Sequence, residues 1–306
     1  MRFVDTTESN CYAVVEMNND QPATVAVTGA AGMLGQDVCG EAPSWARVAP
    51  LTRDEADLCV PEETRAVLTA AQPATIIHCA AYTDVDGATR DPDTAWQGNV
   101  LATRHVRQAA SSIGARLIYV STDYVFDGTA SAPYTESAPV NPINAYGESK
   151  LAGEREAMRV ESHLIVRTQW LYGLGGSNFI AAILDAARSG RDLQVVQNER
   201  GCPTWTLDLA RGIWRLLERR ADGIVHLTNR GACTRLEMAQ AALAEAGMDD
   251  VSITGIDSGE WPSPTRRPLN AVLASERLEE IGVEPLRTWR KALGEYVSLL
   301  LDRWED

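Results

Sequence analysis

Short apolar stretches alternate with stretches of helical periodicity in the first half of the chain. Five apolar runs predict β-strands, at residues 24–28, 47–52, 74–79, 115–121 and 163–168. Between them, apolar positions recur at helical spacing and predict helices up to about residue 40 and at 61–71, 91–113 and 145–161. Strands that alternate with helices in this way are typical of a parallel, doubly wound α/β sheet.

The pattern loosens after Trp170, where helices are predicted at 177–189, 206–220, 234–246 and 288–303. They are separated by short strands at 193–196, 224–227 and 251–255 and by a loop with three prolines at 257–270. We expect a smaller α/β domain on the carboxyl edge of the first sheet, with the ligand site in the cleft between the two parts. The predicted boundaries are a flexible extension at 1–22, a first domain at 23–172 and a second domain at 173–306, some of whose segments return to the first.

Composition and charge narrow the class of protein. The 306 residues include 28 basic and 42 acidic side chains, a net charge of −14. This argues against a nucleic-acid partner or an anionic membrane surface, because both need a basic footprint. No apolar run reaches the roughly 18 residues of a membrane span, and no secretory leader is evident. Six scattered cysteines, without a CxxC pair or a His/Cys cluster, favour reduced thiols, so we expect a cytoplasmic protein.

A glycine-rich turn follows the first predicted strand and opens the first helix. It reads Gly29-Ala30-Ala31-Gly32-Met33-Leu34-Gly35. Such glycines allow a tight turn, close approach of the backbone to a pyrophosphate and close packing of helix on strand, while the helix N-terminus faces the phosphates. The turn predicts a Rossmann-type dinucleotide-binding domain at 23–172 and leaves 173–306 mainly for the substrate. An ordinary glycine turn is the structural alternative.

Tyr146 and Lys150 lie four residues apart at the start of a predicted helix, so their side chains share one face. Lys150 is one of only two lysines in the chain, the other being Lys291, so a generic surface charge explains it poorly. The unperturbed pKa of a tyrosine is about 10, and a nearby ammonium is expected to lower it toward the range useful for acid–base catalysis. Thr122, which ends the fourth strand, is expected to donate a hydrogen bond to a substrate carbonyl oxygen.

The glycine spacing and the Tyr-x-x-x-Lys pair together resemble the short-chain dehydrogenase/reductase superfamily. Further segments narrow the resemblance to the dTDP-4-dehydrorhamnose reductase family, and they occur in order from about Ala23 to the C-terminus. These segments are CAAYTDVD at 79–86, STDYVF at 121–126, NAYGESKLAGE at 144–154, RTQWLYG at 167–173, NF at 178–179, GCPT at 201–204 and RPLN at 267–270.

The resemblance implies NAD(P)H-dependent reduction of the C4 ketone of a dTDP-4-dehydro-6-deoxyhexose, as in the last step to dTDP-L-rhamnose. It implies that Tyr146 donates the proton, that Lys150 tunes Tyr146 and that Thr122 orients the carbonyl. Besides Tyr146 and Lys150, cofactor contacts are expected at Gly29, Gly32, Met33, Leu34, Gly35, Asp57, Leu58, Cys79, Ala80, Ala81, Tyr82 and Asn99. Substrate contacts are expected at Val85, Thr122, Asp123, Tyr124, Trp170, Asn178 and Arg267, the last of these on the nucleotide diphosphate.

Four of these residues also have structural alternatives. For Trp170 the alternative is an ordinary residue of the apolar core. For Asp57 the alternative is a solvated helix cap. Asn99, expected to order water near Lys150, is otherwise a buried structural amide, and Arg267 is otherwise a surface arginine beside a proline.

The cofactor preference depends on the end of the second strand, which lies beside the adenosine ribose in this fold. The strand ends in Thr52-Arg53, and a guanidinium there can bind a 2′-phosphate bidentately. The sequence therefore predicts a preference for NADPH, with NADH still accepted. Asp54 or Glu55 would take that position if the strand ended later.

Other functions of the same fold stay open. The segment Gly87-Ala88-Thr89 replaces a stretch with a lysine in the family pattern, and Asn198-Glu199 replaces Asp-Gln, so a related ketosugar reductase of an antibiotic deoxysugar pathway, such as a streptose-type one, is an alternative. A 4,6-dehydratase or epimerase is disfavoured because Asp123-Tyr124 stands where a dehydratase has Asp-Glu. A non-catalytic regulatory subunit is the third alternative. No magnesium ligand set is found, the predicted partner is a dTDP-sugar, and a homodimer is left open.

Overall fold

The computed structural model describes residues 22–305, so almost all of the predicted extension at 1–22 lies outside the described residues. The strands are β1 Ala23–Thr28, β2 Ala46–Leu51, β3 Thr75–His78, β4 Arg116–Thr122, β5 His163–Thr168, β6 Leu171–Tyr172, β7 Leu193–Val196, β8 Arg200–Gly201, β9 Thr204–Trp205, β10 Gly223–His226, β11 Cys233–Thr234 and β12 Ile253–Ile256. The α-helices are α1 Met33–Gly40, α2 Pro61–Ala71, α3 Val85–Arg90, α4 Pro92–Trp96, α5 Ala102–Ile113, α6 Ala145–Ala157, α7 Phe179–Arg188, α8 Thr206–Glu218, α9 Arg235–Glu245, α10 Arg277–Ile281 and α11 Trp289–Glu305.

Six strands form one parallel sheet in the order β10-β5-β4-β3-β1-β2. The order reverses between β1 and β3, so the connections that leave these two strands run to opposite faces. A crevice opens at the carboxyl ends of the strands at such a switch point. The predicted doubly wound Rossmann-type sheet is therefore confirmed, and its crevice lies directly above the glycine-rich turn.

Both faces of the sheet are covered by helices, which explains why its strands are apolar on both sides. On one face, Val25 and Val27 pack with Leu34 of α1 and Ile213 of α8. On the other face, a second apolar cluster joins the sheet to α2 and α5; its members include Ala26, Leu68, Ile76, Val106 and Leu117. Successive residues of β1 thus alternate between the two cores.

Part of the second half of the chain returns to the first sheet. β10 pairs with β5, and Trp214 of α8 donates a hydrogen bond from Nε1 to the carbonyl of Val38 in α1, at 2.9 Å. The sequence analysis allowed for such a return, and the boundary at residue 172 stays a prediction. The remainder, with α7, α9 and α11, encloses a separate core whose large buried side chains include Tyr172, Trp205 and Tyr296.

The predicted single helix at 91–113 is interrupted. A π-helical turn, Gln97–Leu101, separates α4 from α5. Its wide turn brings Gly98 against Tyr82, where an added Cβ would lie 3.1 Å from the Tyr82 Cβ. Among the described helices, none combines the length and apolarity that crossing a membrane requires.

Candidate active site

The crevice at the switch point is a cleft of about 620 Å³. Its walls come from the ends of β1 to β4, the glycine-rich turn and α6. Every residue predicted to contact the cofactor lines it, with the exception of Asn99. The lining residues from that prediction are Gly29, Gly32, Met33, Leu34, Gly35, Arg53, Asp57, Leu58, Cys79, Ala80, Ala81, Tyr82, Tyr146 and Lys150.

The glycine-rich turn has room for a dinucleotide because it lacks side chains. Gly29 has a φ of +67°, and a Cβ there would lie 2.7 Å from the backbone nitrogen of Ala80. A Cβ on Gly35 would overlap the carbonyl oxygen of Gly29. Helix α1 then begins at Met33, with Gly32 as its N-cap, so unpaired backbone N–H groups meet the cleft. These residues fit the pyrophosphate of a nicotinamide dinucleotide.

Helix α6 is anchored at the residue before its first turn. Asn144 accepts a hydrogen bond from the backbone of Gly147 at 2.9 Å and donates one to the carbonyl of Arg266 at 2.9 Å. A side chain at Gly147 would overlap the carbonyl of Tyr124, so the helix start packs closely on the segment after β4. This cap fixes the direction of α6 and therefore of Tyr146 and Lys150 on its cleft face.

Lys150 is buried at the base of the cleft. Its Nζ donates a hydrogen bond to the carbonyl of Val120 at 2.8 Å and lies 4.2 Å from the centroid of the Tyr119 ring. Burial lowers the pKa of Lys150 to about 7, and the carboxylate of Glu154 opposes that shift.

Tyr146 is also buried, with its ring edge-on to Tyr124 at a centroid distance of 5.2 Å. Burial raises the pKa of Tyr146 above its ordinary value, while the neighbouring Thr122 hydroxyl opposes the rise. The net pKa of Tyr146 is raised in this structure, where the Lys150 ammonium is directed at the carbonyl of Val120, and the tuning of Tyr146 by Lys150 stays a prediction. The phenol therefore keeps its proton near neutral pH, as a proton donor must.

Thr122 lies beside Tyr146, but its hydroxyl proton already forms a hydrogen bond within the protein. Its Oγ1 donates to Asp123 Oδ1 at 3.0 Å and accepts from the backbone of Tyr124 at 3.3 Å. A hydroxyl carries one proton, so Thr122 donates to a substrate carbonyl only after the bond to Asp123 breaks. In this structure the Thr122 proton forms the bond to Asp123, and donation to a substrate carbonyl stays a prediction.

Asp123 is a fully enclosed carboxylate between Thr122 and Gln169. Gln169 Nε2 donates to Asp123 Oδ2 at 3.0 Å, and its Oε1 accepts from the backbone of Cys202 at 2.7 Å. Burial raises the pKa of Asp123 to about 6, against the hydrogen bonds from Gln169 and Thr122. The sequence analysis did not single out Gln169, although it stands between Thr168 and Trp170 in a quoted segment.

Two predicted contact residues form hydrogen bonds that hold protein segments together. Asn99 accepts from the backbone nitrogen of Tyr82 at 2.8 Å and donates to the Tyr82 carbonyl at 3.0 Å and to Ser149 Oγ at 2.9 Å. Asn178 is the N-cap of α7, accepting from the backbone of Ala181 and donating to the carbonyl of Gly173. The amide groups of both side chains are bonded to protein in this structure, and their assignments as ligand contacts stay predictions.

Two of the structural alternatives are also decided. Asp57 is not the cap of α2, whose N-cap is Val60; it lines the cleft and accepts from the backbone of Cys59 at 2.9 Å. Arg267 is 30% exposed and pairs with Asp86 at 3.4 Å. It is therefore half-buried beside α3, which begins at Val85, and is not a free surface arginine.

Trp170 is half-buried, with a φ of +48° that places its backbone in the left-handed region. The guanidinium of Arg235 lies 3.7 Å above its ring centroid. Arg235 was not singled out from the sequence, and Glu199 was noted only as a departure from the family pattern, because the two residues come from elements far apart along the chain. Among the described residues, no group of three or more His, Cys, Asp or Glu side chains is arranged to hold a metal ion.

Comparison with known proteins agrees with this geometry. The family model described as the RmlD substrate binding domain matches residues 23–301. A dTDP-4-dehydrorhamnose reductase of Streptomyces griseus is 38% identical over 90% of this chain and 94% of its own length. A dTDP-4-keto-6-deoxy-D-glucose reductase of Streptomyces niveus is 36% identical over 90% of this chain and 96% of its own length.

Solved structures agree as well. A dTDP-4-dehydrorhamnose reductase of Bacillus anthracis in complex with NADP superimposes with a TM-score of 0.88 at 32% identity, covering 90% of this chain and 99% of the other. The similarity extends through the cleft and across both halves of the described structure. The chain belongs to the dTDP-4-dehydrorhamnose reductase family.

Proposed function

We propose that the protein reduces the C4 ketone of a dTDP-4-dehydro-6-deoxyhexose, converting dTDP-4-dehydro-L-rhamnose to dTDP-L-rhamnose. The observation that carries this proposal is a single cleft that joins the glycine-rich turn to Tyr146 and Lys150, with Thr122 beside Tyr146. The names of the Streptomyces griseus and Streptomyces niveus relatives support a dTDP-linked ketosugar as the substrate.

Each residue at the reacting end of the cleft has a different role in the proposed reaction. A bound reduced nicotinamide dinucleotide supplies the hydride that adds to C4. Tyr146 donates its phenolic proton to the C4 oxygen as negative charge develops there. Lys150 is held by Val120 at the cleft floor, where its ammonium binds the nicotinamide ribose and stabilises the phenolate that remains. Thr122, once released by Asp123, donates a second hydrogen bond to the same oxygen.

The preferred cofactor is proposed to be NADPH. Strand β2 ends at Leu51, and Thr52 and Arg53 follow it along the cleft wall. The Arg53 side chain is 85% exposed and is 3.8 Å from Asp57, so its guanidinium is free to turn toward a 2′-phosphate. Glu55, the alternative occupant, is folded back as the acceptor of hydrogen bonds from Thr52.

Two other functions are less well supported. A 4,6-dehydratase would need a second acid where Tyr124 stands, and Tyr124 is an aromatic residue packed on Tyr146. A purely regulatory subunit has no need for the complete set of Thr122, Tyr146 and Lys150. The Streptomyces niveus relative does favour one variant of the proposal, in which dTDP-4-keto-6-deoxy-D-glucose is the ketosugar.

The location of the protein is proposed to be cytoplasmic. The five cysteines within residues 22–305, Cys39, Cys59, Cys79, Cys202 and Cys233, are all free thiols. Free thiols in this number are typical of a reducing compartment.

The experiment that tests the function is a substrate panel with the purified protein. NADPH oxidation is measured with dTDP-4-dehydro-L-rhamnose and with dTDP-4-keto-6-deoxy-D-glucose, and products are identified by mass spectrometry. We expect the first ketosugar to give the higher kcat/KM. A higher kcat/KM with the second would change the assigned substrate, and no oxidation with either would reject the reductase.

A further inference from the structure

One buried amide, that of Gln169, connects the end of β4 to two later segments of the chain. Its Nε2 donates to Asp123 Oδ2 at 3.0 Å and to the carbonyl of Ala271 at 2.9 Å, and its Oε1 accepts from the backbone nitrogen of Cys202 at 2.7 Å. A side-chain amide has two N–H protons, and both are used here. The amide is therefore fixed in one orientation, because a flip would place Oε1 against two acceptor oxygens and Nε2 against an N–H group.

The two carboxylate oxygens of Asp123 have different partners. Oδ2 accepts from Gln169, whereas Oδ1 accepts from Thr122 Oγ1 at 3.0 Å. Asp123 is 2% exposed, and both of these donors, an amide and a hydroxyl, are uncharged. Burial therefore outweighs the two hydrogen bonds, and the carboxyl takes up a proton at a higher pH than it would in water.

The titratable groups around Asp123 leave its pKa at about 6. Burial raises the pKa values of Tyr124, Tyr146 and Cys202, so these three groups are uncharged near pH 7. The positive charge of Arg235 lowers the pKa of Asp123, but burial has the larger influence. Asp123 is therefore neutral below about pH 6 and ionised above it.

Gln169 determines which oxygen of Asp123 carries the proton. A proton on Oδ2 would face the N–H group of Gln169, whereas a proton on Oδ1 faces Thr122 Oγ1, which can accept it. The Thr122 hydroxyl has two acceptor lone pairs and uses one for the backbone nitrogen of Tyr124 at 3.3 Å. A neutral Asp123 can thus donate to Thr122, and the proton of Thr122 is then no longer bonded to Asp123.

We propose that Asp123 and Gln169 are positioning residues, and that protonation of Asp123 reverses its hydrogen bond with Thr122 and frees the Thr122 hydroxyl to donate to the substrate. This role rests on the proposed function, in which Thr122 donates to the C4 oxygen. The proton on Asp123 comes from solvent and is not consumed, because Tyr146 supplies the proton that stays on the product. Ionised Asp123 holds the Thr122 proton, and neutral Asp123 releases it.

The test measures kcat for the wild type and for Thr122→Val from about pH 5.5 to about pH 8.5, with saturating NADPH and dTDP-4-dehydro-L-rhamnose. The ratio of the two kcat values isolates the contribution of Thr122, because the ionisations of Tyr146 and Lys150 affect both proteins. We expect a ratio of about 10² at the acidic end, where the donor to the developing oxyanion is free, and only a few-fold at the basic end.

Asp123→Asn makes the arrangement of neutral Asp123 permanent. The carbonyl of the new side chain must accept from Gln169, so its NH₂ group faces Thr122 and donates to it. We expect the ratio between Asp123→Asn and the double variant Thr122→Val/Asp123→Asn to stay high over the whole pH range.

Gln169→Met tests the positioning role of the amide. It removes a hydrogen bond that lowers the pKa of Asp123, so the pH at which the Thr122 ratio falls should move upward. A merely structural role of Gln169 would lower kcat without moving that pH. Asp208→Asn is the matched control, because Asp208 is also a buried carboxylate held by an amide, Asn229 Nδ2 at 2.7 Å, and it should leave the pH of the fall unchanged.

A readout independent of turnover is carbon-13 NMR of the aspartate carboxyls. One signal, absent from Asp123→Asn, should titrate near pH 6. The inference is overturned if no such signal titrates, if the wild-type ratio does not change with pH, or if the ratio falls equally in the Asp123→Asn background. When the wild type reduces the ketosugar, each of these results rejects only this inference. If the wild type reduces no dTDP-ketosugar at any pH, the proposed function fails, and the role of Asp123 fails with it.

Discussion

The two ends of the cleft are built in different ways. The proposed cofactor end is built on one continuous turn, Gly29 to Gly35, which has no charged side chain, and the charged residues Arg53, Asp57 and Lys150 line the cleft beside it. The proposed substrate end consists of charged and aromatic side chains, such as Asp123, Trp170 and Arg235, which come from segments spread over more than a hundred residues of the chain. The first end offers N–H groups that suit any pyrophosphate, whereas the second offers buried ionisable groups whose placement selects one ligand. The residues proposed to bind a pyrophosphate and those proposed to recognise the sugar nucleotide thus lie in different parts of the cleft, with Tyr146 between them.

The largest effect on turnover is expected for Tyr146, which lies between the two ends of the cleft. Tyr146→Phe should lower kcat about 10²- to 10⁴-fold, because the general acid is lost, and should leave the Kd for NADPH nearly unchanged. Tyr172→Phe is the matched control: it removes a buried hydroxyl that has no hydrogen-bond partner, and kcat should stay at the wild-type value. A Tyr146→Phe enzyme with more than about a tenth of the wild-type kcat would show that another group donates the proton.

A smaller effect is expected at the cofactor end. Arg53→Ala should lower kcat/KM for NADPH about tenfold, since a charge-assisted contact to the 2′-phosphate is lost, and should not change kcat/KM for NADH. Arg65→Ala, at an exposed position on α2, controls for the change in net charge. Equal or better wild-type efficiency with NADH would contradict the proposed preference, as would an NADPH efficiency that survives the Arg53 substitution.

The smallest effect is expected from the aromatic residue of the substrate end. Trp170→Ala should raise the KM for the sugar nucleotide several-fold, up to about tenfold, with less effect on kcat, because a packing surface for the ligand and for Arg235 is removed. Trp170→Phe should restore much of the loss. A protein with normal KM but a markedly lower melting temperature would instead assign Trp170 to the core.

The same contrast explains what the sequence could predict. The alternation of strands and helices predicted the sheet, and the short-range patterns at residues 29–35 and at Tyr146–Lys150 indicated the cleft. The hydrogen bonds of Asn99 and Asn178 to protein could not be predicted, because an amide in a motif does not reveal what it bonds to. Arg235 and Glu199 meet only through tertiary packing, and no local pattern marks them. The pKa of Tyr146 is raised in this structure because burial, which the sequence does not show, has the largest influence on it.

The central claim is that hydride is delivered to C4 of the sugar within this cleft. It is tested most directly by running the reaction with NADPH that carries deuterium at the transferable position of the nicotinamide, and by locating the label in the product by NMR. The account predicts one deuterium at C4 of the deoxysugar, which remains linked to dTDP, and no labelled product from the Tyr146→Phe enzyme on the same time scale. A label at another carbon, or turnover of the ketosugar without net transfer of deuterium, would contradict it.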